Sequence, residues 1–194
     1  MKKRTTQKNK AENAQEDPQA KIEEEKEEAK VQLPDLKASQ YETDEITTGI
    51  DVSEFQGNID WKAVADSGID FAMIRVGYRG MKNGEIKEDA CAKYNLQEAS
   101  KNGLKIGAYF FSTAVTEEEA KEEAEWTKNL LSGYPVTYPV AYNCEGFQNP
   151  SSRQFELSVE ERTKLADAFL KSIEEGSYTG MFYAAKNELD DNNL

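Results

Sequence analysis

From Ile46 onward, short apolar runs alternate with amphipathic stretches. "TTGIDVS" reads as a first strand and "DWKAVADSG" as a short helix that ends at Gly68. "FAMIRVGY" is apolar with little interruption, the pattern of a strand covered on both faces. Asp89 to Asn102 reads as a second helix closed by Gly103, and "KIGAYFFS" as a third strand. "TEEEAKEEAEWTKNLLSG" opens with Thr116 and Glu119 at capping-box spacing and closes at Gly133. "SVEERTKLADAFLKSIEEG" repeats the device with Ser158, Glu161 and Gly176. "PVAYNCEG" between these two helices is a fourth strand, and "YTGMFYAAK" is a fifth. A glycine follows every predicted helix where a left-handed cap is expected. Strand and helix alternating over about 140 residues predicts βα units with parallel strands, an α/β fold. Five units cannot close an eight-stranded barrel, so the expectation is an open sheet or a fold that extends past Leu194.

Residues 1–45 follow another pattern. They hold 9 Lys/Arg and 12 Asp/Glu with almost no large apolar residue. Such a segment cannot offset the entropy of ordering, so it reads as a charged flexible tail or linker, with the domain spanning 46–194. "MKKRTTQKNK" has the basic character of the start of a signal peptide or anchor, but no apolar run follows it. The reading is therefore no complete export segment and no membrane span in this chain.

The domain carries 15 Lys/Arg against 25 Asp/Glu, a net charge of −10. That balance argues against nucleic acid and against an anionic membrane surface, both of which need clustered cations. There is no histidine, which removes Ser-His-Asp and Cys-His catalysis and most zinc sites. The carboxylates are too few and too separate for a cation cage, so neither metal nor cofactor is expected. Cys91 and Cys144 lie far apart and form no metal motif; a buried free thiol is the favoured reading for Cys144 and a disulfide the lesser one.

Parallel β/α folds keep function at the C-terminal ends of their strands. Read in order, those ends supply Asp51 with Ser53, Glu54 and Gln56, then Arg75 and Tyr78, Tyr109 and Phe111, Asn143 and Glu145, and Tyr183. Asn143 and Glu145 stand two apart, on one face of a strand and roughly 7 Å apart along it. A carboxylate ending the run "YPVAY" is costly to bury unless it is paired or used. Two carboxylates, an amide and several aromatic rings suit sugar chemistry, since rings stack on sugar faces and carboxylates serve glycosidic acid–base work. Taken singly, Asp51 could cap its turn, and Tyr78, Tyr109 and Phe111 could be core or rim residues.

The stretches "GIDVSEFQGNIDWKAVADSGIDFAMIRVGYRG", "GLKIGAYFFSTAVTEEEAKEEAEW" and "YPVAYNCEGF" resemble glycoside hydrolase family 25, the Chalaropsis-type lysozymes. The resemblance runs in order over roughly residues 47–190. It implies an irregular β/α barrel, of the TIM-barrel type, truncated here after the fifth strand. It implies a muramidase that cleaves the β-1,4 bond of peptidoglycan between N-acetylmuramic acid and N-acetylglucosamine, acting as a monomer outside the cell or at its surface. By the resemblance Asp51 matches the first acid of the family, Glu145 is the general acid, and Asn143 stands where the family has Asp. Tyr78, Tyr109, Phe111, Tyr183, Gln56 and Arg75 are the expected substrate-binding residues. An amide hydrogen-bonds but brings no charge, so the expectation is an impaired enzyme. The alternatives are a glycan-binding module on the same fold and an interaction fragment acting through its charged tail.

Overall fold

The computed structural model describes residues 47–190; the charged segment 1–45 lies outside them. In chain order come β1 (Gly49–Val52), α1 (Trp61–Asp66), β2 (Phe71–Arg79), β3 (Ile86–Glu88), α2 (Ala92–Lys101) and β4 (Lys105–Phe111). Then follow α3 (Glu117–Leu131), β5 (Val136–Asn143), α4 (Val159–Glu175), β6 (Gly180–Tyr183) and α5 (Lys186–Asp190). The sheet runs β1-β2-β4-β5-β6 with every neighbour parallel, as the alternation of patterns predicts.

β3 was not predicted. It pairs antiparallel with the end of β2, Tyr78 opposite Lys87. A turn closed by Gly84 N–H to Gly80 O and Gly80 N–H to Glu85 O returns the chain, with Gly84 in the left-handed region at φ 68. A three-residue strand with a half-buried isoleucine and two exposed charges has no periodic signal to read.

Alternate residues of the sheet divide by face. Ala72, Ile74, Ile106, Ala108, Phe110, Val140 and Tyr142 are buried against the helices. Phe110 meets Trp126 of α3 edge-on at 5.8 Å, and Tyr142 meets Phe169 of α4 at 5.2 Å. The opposite face carries Met73, Gly107 and Tyr109. An added Cβ on Gly107 would lie 2.5 Å from Met73 Sδ, so the glycine makes room for that side chain. β5 contains Pro139, which has no N–H to give the ladder. Its pairing with β4 slips there, from Ile106–Val136 to Ala108–Val140, and the strand ends at Asn143 rather than at Gly146.

The helix boundaries follow their capping residues with two departures. Ser158 and Glu161 form a reciprocal capping box on α4. Thr116 caps α3 by accepting from Glu119 N–H, but the Glu119 carboxylate takes Val115 N–H and Arg153 instead of completing the box. Gly68, Gly103 and Gly133 adopt the left-handed conformation predicted for them. Gly176 does not; Ser177 takes that conformation one residue later, at φ 67.

The sheet and α3 are also joined by charge. Arg79, 4% exposed, bonds Glu123 and Glu122 at 2.7 Å each and the carbonyls of Gly84 and Glu119. Both cysteines are free thiols, Cys144 in the core.

Candidate active site

The parallel register aligns the strand ends in rungs. One rung is Arg75, Tyr109, Ala141 and Met181; the next is Tyr78, Phe111, Asn143 and Tyr183. Asp51 lies opposite Met73 on β1. β1 and β6 are the two ends of the strand order, four inter-strand steps apart. Flat, they would stand about 19 Å from each other. Yet Tyr183 Oη donates to Asp51 Oδ2 at 3.2 Å. The sheet therefore curls far enough for side chains of its first and last strands to touch across the mouth, and the strand-end residues converge. Tyr109 joins them edge-on to Tyr183, 5.8 Å between ring centres.

Asn143, 2% exposed, donates its amide to Tyr183 O at 3.3 Å and favours the charged form of the nearby Glu145 carboxyl. Glu145 lies just past β5, before Gly146, whose φ of 73 turns the chain sharply. Burial raises the Glu145 pKa, the charges of Glu188 and Asp51 raise it further, and the Asn143 hydrogen bond lowers it. The Tyr183 phenol is pushed up to about 12 by burial and by Asp51. Burial and Asp51 likewise push Tyr109 well above the ordinary phenol range. The cluster thus holds a carboxyl biased toward keeping its proton and an exposed carboxylate steadied by a tyrosine. That is a donor and a counter-charge on one mouth.

Arg75 and Gln56 are held by neighbouring residues. Arg75 bonds Asp89 at 2.7 Å and Glu54 at 2.9 Å, with Phe55 and Tyr78 stacked on its guanidinium. Gln56 accepts from Ser53 N–H at 2.8 Å and so caps its own turn, its residue remaining exposed. Tyr78, Phe111 and Arg75 line a groove of about 330 Å³ beside the cluster, together with Glu54, Phe55 and Met81. Two larger grooves, about 460 Å³ each, lie on the helices away from the strand ends, one lined mainly by charged residues and the other by a mixture of charged, amide and aromatic ones. Two carboxylates of the site were missed in the sequence. Buried Asp89 anchors Arg75, Glu54 N–H and the start of α2. Glu188 accepts from Gly146 N–H at 2.8 Å. Asp89 was read as a helix start, and Glu188 lies in a five-residue helix without apolar periodicity.

The model of the family "Glycosyl hydrolases family 25" matches residues 50–194. No curated protein matches the chain. Among solved structures, the modular autolysin LytC from Streptococcus pneumoniae is 25% identical with a TM-score of 0.65, over 77% of this chain and 35% of that one. A family 25 glycosyl hydrolase from Bacillus anthracis is 24% identical with a TM-score of 0.62, over 77% and 65%. The spore cortex lytic enzyme SleM from Clostridium perfringens is 20% identical with a TM-score of 0.66, over 79% and 50%. This chain therefore spans about a third of LytC and about two thirds or half of the others. The family match runs from β1 through β6 and takes in every strand end of the curled sheet, and the chain belongs to glycosyl hydrolase family 25.

Proposed function

We propose that this domain acts on bacterial cell-wall peptidoglycan as a muramidase, cleaving the β-1,4 bond between N-acetylmuramic acid and N-acetylglucosamine. The observation that carries the reading is the convergence of Glu145, with its raised pKa, and the Tyr183-bound Asp51 at the mouth of the curled sheet. The sheet on this reading belongs to an irregular β/α barrel, and the protein works as a monomer outside the cell or at its surface. Glu145 gives its proton to the glycosidic oxygen as the bond to the anomeric carbon breaks. The positive charge left on that carbon is met by the substrate's own N-acetyl oxygen, oriented by Asn143, and by the Asp51 carboxylate. Water then adds, and its proton returns to Glu145. Tyr109, Tyr183, Tyr78 and Phe111 offer ring faces to the sugars, while Arg75 and Gln56 support the wall of the groove through Glu54 and Ser53.

Asn143 brings a dipole where the mechanism gains from a charge, so turnover is slow. A second reading, a peptidoglycan-binding module without turnover, draws on the same residue, whose amide donates to Tyr183 O as a carboxylate could not. A turbidity assay on cell walls beside a pull-down with insoluble peptidoglycan separates the two. Under the enzyme reading Asn143→Asp lyses walls on the order of 10²-fold faster while binding stays close to unchanged. Equal binding without any gain in lysis favours the binding module, and failure of both forms to bind removes peptidoglycan as the ligand.

A further inference from the structure

Glu188 is 5% exposed, and one of its carboxyl oxygens has no hydrogen-bond partner. The other accepts from Gly146 N–H at 2.8 Å. A buried carboxyl served by a single donor costs folding free energy, so its position calls for a purpose other than stability. Gly146 is the residue after Glu145, and its left-handed φ sets the direction in which the chain leaves β5. Glu188 arrives from α5, an element that follows β6 and is far away in sequence.

We propose that Glu188 is a positioning residue for Glu145: it clamps the Gly146 turn from α5 and sets a second carboxylate behind the proposed acid. The proposal rests on Glu145 being the proton donor of this site. The clamp fixes where the Glu145 carboxyl sits. The second carboxylate makes ionisation of Glu145 unfavourable, in the same direction as burial. The other groups facing Glu145 are Asp51 on β1, which adds to this bias, Asn143 on β5, which opposes it, and Tyr183 on β6. At the buried end, Arg162 of α4 and Glu188 act in opposite directions on the Cys144 thiol, Arg162 lowering its pKa and Glu188 raising it. Lys186 shares α5 with Glu188 and is itself engaged.

The test is carboxyl ¹³C NMR of the whole chain, with no turnover required. In Glu188→Gln the amide oxygen still accepts from Gly146, so the Gly146 N–H resonance and its exchange rate stay as they are. Glu145 then titrates at lower pH than in the parent. In Glu188→Ala the clamp is lost as well, and Gly146 N–H exchanges faster. An unchanged Glu145 midpoint in Glu188→Gln overturns the proposal, because Glu188 would then have no electrostatic hold on Glu145. A downward shift of Glu145 in a protein that binds no wall material would leave the positioning intact and remove the muramidase reading instead.

Discussion

Asn143 donates its amide to the Tyr183 carbonyl and favours the charged form of the Glu145 carboxyl. An aspartate in its place can donate to neither when ionised. Asn143→Asp therefore removes the hydrogen bond that lowers the Glu145 pKa and adds a like charge. Both changes push Glu145 upward, so the basic limb of the pH–rate profile should move to higher pH as turnover rises, read from initial lysis rates across pH. In that background Glu145→Gln should abolish lysis while leaving the melting temperature nearly unchanged; retained lysis would take the acid role away from Glu145. The positions of Asp51, Asn143, Glu145 and Tyr183 were legible because strand ends collect on one mouth. What the sequence could not show is engagement. Arg75 and Gln56 occupy the same kind of position, yet Arg75 is bound to Asp89 and Glu54 and the Gln56 carbonyl oxygen accepts from Ser53. Glu188 was invisible because its importance lies in one bond to a backbone N–H.

At the scale of single elements, local chemistry and cross-element packing make separate contributions. Ser158 supplies both halves of the α4 cap with Glu161, so Ser158→Ala should cost about 1 kcal/mol of stability in urea unfolding. Gly107 is a packing glycine. Its Cβ would meet Met73 Sδ at 2.5 Å and the Pro139 carbonyl at 2.7 Å. Gly107→Ala should destabilise by about 1–3 kcal/mol, and pairing it with Met73→Ala should recover only part, since the carbonyl cannot move aside. The five parallel strands and four of the helices were readable from apolar runs and caps, because burial on both faces and the Gly terminators act within a few residues. β3, the slip at Pro139 and the exchange of Gly176 for Ser177 depend on partners distant in sequence or on a single dihedral angle.

Across the whole molecule, Arg79 ties β2 to α3 and to the turn before β3. Its main partner, Glu123, is fully buried, with one oxygen that no donor reaches. Burial pushes Glu123 up to about 7 from 4.5, while Arg79 pulls it back down. A carboxyl whose folded pKa lies above its unfolded value holds its proton more tightly when folded. Its contribution is present below pH 4.5 and is lost as pH rises through about 7. Arg79→Leu leaves the carboxyl without its cation, so it should cost about 3–5 kcal/mol near neutral pH. The loss should be larger at pH 8 than at pH 5, measured as urea midpoints. Equal losses at both would mean that Glu123 stays protonated throughout.

The contact between Tyr183 and Asp51 joins residues 132 positions apart. The hydroxyl reaches the carboxylate only after β2, β4 and β5 have aligned between them, because a one-residue slip turns a strand's side chains to the other face. Closing so long a loop draws on chain entropy before any reward arrives. During refolding, helix signal should therefore recover first and glycan binding last, in a stopped-flow experiment that follows far-ultraviolet circular dichroism beside ligand fluorescence. The mouth of this sheet is in that sense a clock for the chain. On the proposed reading, the sugar site is complete only at the moment when Tyr183 and Asp51 find each other.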